Sequence, residues 1–347
     1  MKALENITKM DHEMVSYCFD KETGLKAIIA VHNTKLGPAI GGTRFYDYKT
    51  EDDALYDVLR LSRGMTFKNS VGGLHAGGGK AVIIGDPKTL KTPALLRKYG
   101  SFVNRLNGSY YTAEDMNISE EDVVYINEGT EYVVGKKEIS GNPSPFTALG
   151  TYMGIKASAK EGFGSDSLKG LTIAMSGVGA VGYPLAEMLH KEGAKLIVAD
   201  TNTVATERAA KELGATVVGV NDIYTVECDI FAPCAMGAII SKENAKDYKC
   251  KVIAGCANNV LVDDEAGEEL YKLGIVYAPD YVINGGGVIS CGYEIEPGGW
   301  DKDKVTNLVE NIYYTLENIY KTSRETNTPT YKVADALAMD RINKEGK

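Results

Sequence analysis

The chain has 347 residues, more than one hydrophobic core usually serves, so two domains of ordinary size are expected. Hydrophobic residues make up 44% and charged residues 24% of the composition, as in a typical globular protein, and no apolar run is long enough to cross a bilayer. The formal net charge of -9 argues against nucleic acid or an anionic membrane as the main partner, because clustered Lys and Arg bind both.

The six cysteines follow neither a metal-ligand spacing nor a Cys-x-x-Cys spacing, and most lie in apolar runs. This pattern indicates reduced, buried thiols. The N-terminal sequence MKALENITKMDHE lacks the apolar core of a secretory signal. We therefore expect a cytoplasmic protein with no metal site.

The first third of the chain mixes predicted strands and helices in an irregular order. Two β-rich runs, residues 13–20 and 25–33, flank a turn-like segment and predict a hairpin. Thr50, with Asp53 three residues later, predicts a capping box at the start of a helix. That helix carries Lys68 at or beyond its end.

A glycine-rich stretch follows this helix. Its residues Gly77, Gly78 and Gly79 lead through Lys80 into a predicted strand over 81–84. Because glycine has no side chain, this stretch is expected to let a substrate lie directly against the backbone. Further along, the pattern predicts a helix over 93–106 and a strand over 110–112.

The segment 141–145 contains two prolines and no long apolar run, so we place a domain boundary there. Strands and helices then alternate as in a parallel α/β sheet. The predicted strands cover 171–176, 195–200, 215–218, 230–233, 251–254 and 274–278. The predicted helices cover 146–161, 181–192, 206–213, 303–323 and 332–343. The expected domains are 1–145 and 146–327, with a C-terminal helix in 328–347 that packs back on the first domain.

A Gly-x-Gly-x-x-Gly motif lies between the first strand and the next helix of this second domain. It consists of Gly177, Val178, Gly179, Ala180, Val181 and Gly182. Alone the motif is weak, but its position between a strand and a helix is typical of a Rossmann dinucleotide-binding domain. Gly177 would permit the tight turn, Gly179 the approach of a pyrophosphate, and Gly182 close packing of helix on sheet.

Asp200 ends the next predicted strand, at the spacing where an acid meets the ribose hydroxyls of a dinucleotide. A carboxylate there accepts bonds from a free 2′-hydroxyl and repels a 2′-phosphate, so NAD is favoured over NADP. Arg208 is the nearby cation that would soften this preference, although a solvated surface role is the more common one for such a residue. The expected fold class is α/β, with an N-terminal α/β domain containing a mixed sheet followed by a Rossmann domain.

Three residues of the first domain are candidates for the chemistry. Lys68 and Lys80 lie where loops meet regular elements, and Asp115 follows a short predicted strand. Singly, each lysine is more often a solvated charge. Together they predict a substrate site with one cation for a carboxylate and one desolvated amine for acid/base work.

At these residues the sequence resembles the leucine, phenylalanine and valine dehydrogenases, short-chain relatives of glutamate dehydrogenase. The resemblance covers almost the whole chain. Its motifs are LGPAIGGTR at 36–44, GGGK at 77–80, NPSP at 142–145, CDIFAPCA at 228–235 and APDYVIN at 278–284.

The resemblance implies NAD-dependent, reversible conversion of an L-amino acid into a 2-oxo acid and ammonia in a cleft that closes about the linker near residue 145. Lys80 would activate the attacking water, Lys68 and Asn259 would bind the substrate carboxylate, and Asp115 would exchange protons at the substrate nitrogen. It further implies cofactor contacts at Thr147, Cys234, Ala235, Ala257 and Asn284, and substrate contacts at Gly41 and Gly77. It also implies a homo-oligomer built through the first domain, where edge strands such as 13–20 pair between subunits.

By the same resemblance, the substrate side chain would contact Ile40, Ala113, Val288 and Cys291, with Met65 and Leu74 near. No Lys or Arg is among them, so glutamate is disfavoured and burial favours an apolar side chain. Ile40 and Val288 resemble the branched-chain enzymes, whereas Cys291 and the run 71–76 resemble the aromatic-specific ones. Leucine, valine or isoleucine is favoured, with phenylalanine or another aromatic amino acid as the alternative.

Other functions remain open at this point. A non-catalytic NAD-binding protein would not need Lys68, Lys80, Asp115 and Asn259 together. An enzyme of plain amines or ketones would have little use for the carboxylate contacts of Lys68 and Asn259. A 2-hydroxy-acid dehydrogenase typically pairs His with Arg, and the histidines form no such motif. His75 is close to Lys80 in sequence, but we interpret it as an ordinary loop residue.

Overall fold

The computed structural model describes residues 3–346, which form two compact units. The first unit comprises the described residues up to Asn142, the segment Ile289–Asp301 and the described residues from Ala338 onwards. The second comprises Pro143–Val288 and Lys302–Leu337.

This division differs from the predicted one in the segment 289–301, which falls within the predicted second domain. Glu294 accepts backbone hydrogen bonds from Gly135 and Lys136, both at 3.0 Å, so this segment belongs to the first unit. The C-terminal return also begins at Ala338 rather than at 328. From there, Arg341 donates to the carbonyl oxygen of Ser70 at 2.7 Å.

The first unit is built on a mixed sheet, as predicted. Its strands are β1 (Met14–Asp20), β2 (Leu25–Asn33), β3 (Ala39–Tyr46), β4 (Gly77–Ile84) and β5 (Tyr110–Ala113). They lie in the order β1-β2-β4-β3-β5. β2 is antiparallel to β1 and β4, whereas β3 is parallel to β4 and β5. The predicted hairpin is therefore confirmed as β1 and β2.

Helices cover both faces of this sheet. They are α1 (Ala3–Lys9), α2 (Glu51–Val71), α3 (Pro87–Leu90), α4 (Pro93–Asn104) and α5 (Glu120–Asn127). Side chains alternate along β2, so Ile28 packs in one core cluster with Leu55 of α2, and Ile29 in another with Tyr99 of α4. α1, α3, α5 and β3 were not among the predicted elements.

β4 begins at Gly77, four residues before the predicted strand at 81–84. Glycine usually weakens a strand, which is why the sequence pattern indicated a loop. A Cβ on Gly77 would lie 1.9 Å from the carbonyl oxygen of Asn33, and one on Gly79 would lie 2.6 Å from the Tyr110 ring. These glycines therefore permit close packing inside the sheet.

The second unit contains a parallel sheet with strands β6 (Thr172–Ser176), β7 (Lys195–Ala199), β8 (Thr216–Val217), β9 (Ile230–Pro233), β10 (Val252–Ile253) and β11 (Val276–Tyr277). The spatial order is β11-β10-β9-β6-β7-β8. Counted from β6 this is the 3-2-1-4-5-6 order of a Rossmann sheet, which confirms the predicted fold class. The switch point, where such folds bind their ligands, lies between β6 and β9.

The remaining helices are α6 (Ser144–Phe163), α7 (Gly182–Lys191), α8 (Thr203–Leu213), α9 (Asp264–Lys272), α10 (Asp280–Ile283), α11 (Gly286–Gly292), α12 (Lys302–Glu310), α13 (Ile312–Thr326) and α14 (Thr330–Glu345). The single helix predicted over 303–323 is wrong. α12 and α13 are separate, because the chain departs from regular helix at Asn311, whose ψ is -12°. No helix in the described part of the chain is long and apolar enough to cross a membrane.

Candidate active site

Lys80 and Asp115 form an ion pair in the first unit. Lys80 lies on β4 with its side chain 8% exposed, and Asp115 follows β5 in a tight turn that bridges to Ile118. The Lys80 Nζ is 3.2 Å from the Asp115 Oδ2. Because β3 pairs with both β4 and β5, the fold brings these two residues together although they are far apart in sequence.

Arg44 on β3 contacts the same carboxylate oxygen. Its Nε donates to Asp115 Oδ2 at 3.1 Å, and one of its terminal nitrogens donates to Asp57 Oδ2 at 2.9 Å. The Tyr48 hydroxyl also donates to Asp57 Oδ2, at 2.7 Å. The candidate acid/base pair is therefore part of a larger network of charges.

These charges set the ionisation of Asp115. Burial by itself would raise the pKa of the Asp115 carboxyl, but Lys80 and Arg44 outweigh burial and hold this pKa below its usual range. Burial and the hydrogen bond to Asp57 raise the pKa of the Tyr48 phenol. Asp115 is thus a carboxylate, and Tyr48 a neutral donor, across the physiological range.

Lys68 lies in the last turn of α2 and is half-buried. The next residue, Asn69, donates its side-chain amide to the carbonyl oxygen of Gly77 at 2.6 Å and, at 3.4 Å, to that of Ile40. Asn69 thereby ties the end of α2 to β3 and β4. It orients the turn of helix that carries Lys68.

Gly41 and Gly77, both proposed as substrate contacts, have an internal role in this structure. A Cβ on Gly41 would lie 1.7 Å from the carbonyl oxygen of Gly79. The Gly41 carbonyl also accepts a hydrogen bond from the Tyr110 hydroxyl at 2.6 Å. Strand packing therefore already requires glycine at both positions, whereas their contacts with a substrate stay predictions.

Two of the residues predicted to contact the substrate side chain lie in the first unit's core. Ile40 and Cys291 are buried, and a Cβ on Gly292 would lie 2.5 Å from Leu74 and 3.5 Å from Ile40. Burial, followed by the charge of Glu294, raises the pKa of the Cys291 thiol to about 12, so the thiol stays neutral. Ala113 is half-buried at the end of β5, whereas Val288 belongs to the second unit.

His75 is exposed and points to Glu296, which accepts from its backbone N–H at 2.8 Å and from its ring at 3.0 Å. Its side chain is 70% exposed. This supports the interpretation of His75 as a loop residue.

The glycine turn of the second unit has a geometry that suits a dinucleotide. Gly177 has φ of 111°, which favours glycine, and its N–H donates to the Ala199 carbonyl oxygen at 2.8 Å. A Cβ on Gly182 would lie 2.3 Å from the Gly177 carbonyl oxygen, so the helix requires glycine there. Gly179 is exposed, and a Cβ on it would meet no atom of the described chain within 4 Å. The backbone at Gly179 is therefore open to a phosphate at the N-terminus of α7.

Asp200 directly follows β7, and its carboxylate is held by backbone amides. Oδ2 accepts from the Val178 N–H and Oδ1 from the Asn202 N–H, both at 2.8 Å. Arg208 lies 3.8 Å from the centre of the Tyr183 ring and donates to Glu212 at 3.0 Å. Its guanidinium is therefore engaged on the surface of α8.

Several other predicted cofactor residues lie near the carboxyl ends of strands in the parallel sheet. Cys234 and Ala235 follow β9, and a Cβ on Gly177 would lie 2.8 Å from Ala235. Asn284 is buried, and its amide nitrogen donates to the Asn258 side chain at 2.8 Å and to the carbonyl oxygen of Ala257 at 3.3 Å.

Two further predicted residues lie on loops and helix ends of the second unit. Thr147 is in the first turn of α6 and donates to the Pro143 carbonyl oxygen at 3.2 Å. Asn259 is exposed, with φ of 51°, and its carbonyl oxygen accepts from the Ala238 N–H at 2.6 Å. In residues 3–346, no cluster of three or more His, Cys, Asp or Glu could hold a metal ion.

Comparison with known proteins places this arrangement in a family. Residues 12–132 match the model for the Glu/Leu/Phe/Val dehydrogenase dimerisation domain, and residues 198–347 match that for glutamate/leucine/phenylalanine/valine dehydrogenase. Leucine dehydrogenase from Geobacillus stearothermophilus is 50% identical over 345 residues, which cover 99% of this chain and 94% of the relative.

The chain belongs to the Glu/Leu/Phe/Val dehydrogenase family. This confirms the resemblance drawn from the sequence motifs. Two relatives named for aromatic amino acids are also similar. Phenylalanine dehydrogenase from Thermoactinomyces intermedius is 42% identical, over 98% of this chain and 94% of the relative. The crystal structure of L-tryptophan dehydrogenase from Nostoc punctiforme superimposes with a TM-score of 0.87 at 43% identity, over 99% of both chains.

The sequence analysis did not identify several residues that support the candidate site. Arg44, Asp57 and Tyr48 were not singled out, although Arg44 ends the quoted motif at 36–44. Glu294 was also missed, yet its Oε1 accepts from the Ser140 hydroxyl at 2.5 Å as well as from two backbone amides. A charged residue inside a family motif was the available signal for Arg44, and Glu294 had none.

Proposed function

We propose that this chain catalyses the NAD-dependent, reversible oxidative deamination of an apolar L-amino acid to its 2-oxo acid and ammonia, with leucine, valine and isoleucine favoured. The observation that carries the proposal is the ion pair of the buried Lys80 with the half-buried Asp115, in a chain 50% identical to a leucine dehydrogenase. An ammonium and a carboxylate 3.2 Å apart, beside a second cation, can exchange protons at a bound substrate.

The proposed substrate contacts divide by chemistry. Lys68, and on family resemblance Asn259, would bind the α-carboxylate, which needs a cation and a hydrogen-bond donor. The side chain would meet Ile40, Ala113, Val288 and Cys291. Since the Cys291 thiol is neutral and no Lys or Arg is among these four, a second carboxylate as in glutamate would be left uncompensated.

Proton transfer is assigned to the Lys80–Asp115 pair. Lys80 Nζ, neutral once its proton has passed to Asp115, would take a proton from the water that attacks the α-carbon of the oxidised substrate, and Asp115 would exchange protons at the substrate nitrogen. The short contact between them lets a proton pass from one to the other. Arg44 favours the return of Asp115 to the carboxylate after each transfer, because its guanidinium stays charged.

The second unit fits NAD as cofactor. When bound, NAD supplies the acceptor for the hydride that leaves the α-carbon. Backbone N–H groups around the open Gly179 would bind the pyrophosphate, and Asp200 would accept from the ribose hydroxyls, since each carboxylate oxygen can take a further bond. Additional contacts are proposed at Val178, Ala180, Val181, Thr147, Cys234, Ala235, Ala257 and Asn284.

An aromatic amino acid is the alternative substrate. It is supported by the tryptophan and phenylalanine dehydrogenases, which are 43% and 42% identical to this chain. The difference between the two substrate classes amounts to a few methylene groups, worth only about 1 to 3 kcal/mol each in a hydrophobic pocket. We place the branched-chain substrates first because of the higher identity to leucine dehydrogenase.

We also propose a homo-oligomer assembled through the first unit. The family model that matches residues 12–132 is described as a dimerisation domain. β1 is an edge strand with Tyr17 and Phe19 exposed, and such an edge can pair with another chain. Light scattering coupled to size-exclusion chromatography measures the subunit number, and a monomer at micromolar concentration would contradict this proposal.

The function is tested by NADH formation at alkaline pH with leucine, valine, isoleucine, phenylalanine, tryptophan and glutamate. The matched control is 3-methylbutylamine, which is leucine without its carboxylate. We expect turnover of one or more apolar amino acids, ammonia in equal amount, and no turnover of the amine. Absence of turnover with every amino acid despite NAD binding would support a non-catalytic NAD-binding protein instead.

A further inference from the structure

We propose that Arg44 is a positioning residue of this reaction: it fixes the Asp115 carboxylate against Lys80 and keeps one carboxylate oxygen available for the substrate. This inference rests on the proposed function, since it concerns the same site.

The geometry assigns the two oxygens of Asp115 to different tasks. Lys80 Nζ and Arg44 Nε both contact Oδ2, at 3.2 and 3.1 Å. Within residues 3–346, Oδ1 makes no hydrogen bond to the protein, and the side chain is 28% exposed. Two cations on Oδ2 leave Oδ1 without a hydrogen bond to the described residues, so Oδ1 can exchange a proton with a bound amine.

Arg44 also forms an ion pair with Asp57, and this second contact fixes its guanidinium in place. Asp57 Oδ2 accepts from Arg44 at 2.9 Å and from Tyr48 at 2.7 Å, and Asp57 Oδ1 accepts from Arg60 at 3.2 Å. Burial opposes the charge of Arg44, but Asp115 and Asp57 outweigh it and raise the pKa of the guanidinium. Arg44 is therefore a permanent cation whose planar group spans two carboxylates, a geometry that lysine cannot reproduce.

The pH dependence follows from the groups that face Asp115. They are Lys80 on β4, Arg44 on β3, the neighbouring Glu114, and the phenols of Tyr48 and Tyr110. Of these, the two cations favour the carboxylate, whereas burial and Glu114 oppose it. Removal of Arg44 therefore raises the pKa of Asp115. As the pH is lowered, the variant without Arg44 should therefore lose its carboxylate-dependent activity at a higher pH than the wild type does.

The experiment compares wild type, Arg44→Gln, Arg44→Lys and the control Lys98→Gln. Lys98 forms an ion pair with Asp20 at 3.1 Å in the same unit, remote from Asp115 in the sheet. The pH profile of kcat/KM is measured for each with the preferred amino acid. We expect Arg44→Gln to lose about tenfold to a hundredfold in kcat/KM, the scale of a misplaced catalytic group, and to shift the acid limb to higher pH.

The conservative variant separates charge from placement. Arg44→Lys keeps the positive charge but loses the planar group that contacts two carboxylates. We therefore expect a pH profile close to that of the wild type, with kcat still reduced. Lys98→Gln should match wild type in both. If Arg44→Gln folds but keeps the wild-type acid limb and a kcat/KM within about twofold, the inference is wrong.

A second readout is independent of turnover. Infrared titration of the carboxyl C=O band, assigned by its absence in Asp115→Asn, reports the ionisation of Asp115 directly. We expect the band to appear at higher pH in Arg44→Gln than in wild type, and an unchanged titration would overturn the role of Arg44. If wild type turns over no amino acid, the proposed function fails, yet this titration still decides whether Arg44 controls Asp115. Should Arg44→Gln not fold, the comparison of Arg44→Lys with wild type carries the test.

Discussion

The backbone N–H of Val178 donates to the Oδ2 of Asp200 at 2.8 Å. The carboxylate that would select the nucleotide is thus fixed by the glycine turn that would bind the phosphates. Asn202 holds the second oxygen in the same way. Among the described residues, the position of this acid therefore depends on backbone N–H groups.

Substitution of Asp200 should relax the proposed preference for NAD. Asp200→Ser keeps a small acceptor but removes the charge that repels a 2′-phosphate. One charge–charge repulsion at about 4 Å is worth roughly 1 to 4 kcal/mol, so we expect the ratio of kcat/KM for NAD over NADP to fall about tenfold or more.

Asp229→Asn is the matched control. Asp229 Oδ2 accepts from the Thr172 N–H at 2.7 Å, at the opposite end of β6. This variant weakens a comparable backbone hydrogen bond and should leave the coenzyme ratio unchanged. An equal shift in both variants would mean that Asp200 acts through stability alone.

The glycines of the first unit should respond to alanine in opposite directions. A Cβ at position 78 would lie 2.1 Å from the backbone nitrogen of Thr66, so Gly78→Ala should lower the free energy of unfolding by about 1–3 kcal/mol or more. Gly64 lies on the exposed side of α2, and a Cβ there would meet open space. Gly64→Ala should therefore raise the free energy of unfolding by about 0.5–1 kcal/mol. Denaturant midpoints measure both, and a shift of the same sign in the two variants would contradict this packing account.

The buried His32 should make stability fall in mild acid. Burial, followed by the positive charges of His12 and Arg63, lowers the pKa of His32 from 6.5 to about 3. Its ring accepts or donates at Thr66 Oγ1, 2.8 Å away. Below about pH 6.5 the His32 side chain takes up a proton in the unfolded chain but not in the folded one. The contribution of neutral His32 to the free energy of unfolding is therefore complete above pH 6.5 and is lost as the pH falls towards 3.

We expect His32→Asn to reduce the slope of unfolding free energy against pH between 6.5 and 5 by up to about 1.4 kcal/mol per pH unit. The exposed His190→Asn serves as the control and should keep the wild-type slope. Urea unfolding at several pH values measures this, and parallel slopes in wild type and His32→Asn would refute it.

The Rossmann unit was predictable because its signals are local. The turn at Gly177, the acid at Asp200 and the alternation of strand and helix each follow from a short stretch of sequence. The structure gives each motif glycine a separate physical reason: a positive φ at Gly177, open space at Gly179 and close packing at Gly182.

The first unit was less predictable because its site depends on strand pairing. Lys80 and Asp115 could be chosen as residues, but their contact requires β3 between β4 and β5, and β3 was not predicted. The same pairing brings Arg44 to Asp115. The glycines at the start of β4 did not indicate a strand, because glycine is uncommon in strands. Their presence is explained only by the atoms that pack against them in the structure.

The most direct test of the account is the activity of Lys80→Ala beside Lys98→Ala with the preferred apolar amino acid, together with NAD binding by calorimetry. Both lysines lie in the first unit and pair with an aspartate, but only Lys80 contacts Asp115. We predict that Lys80→Ala loses activity by about a hundredfold or more while binding NAD normally, and that Lys98→Ala remains active. Full activity in Lys80→Ala would contradict the assignment of Lys80 to the chemistry.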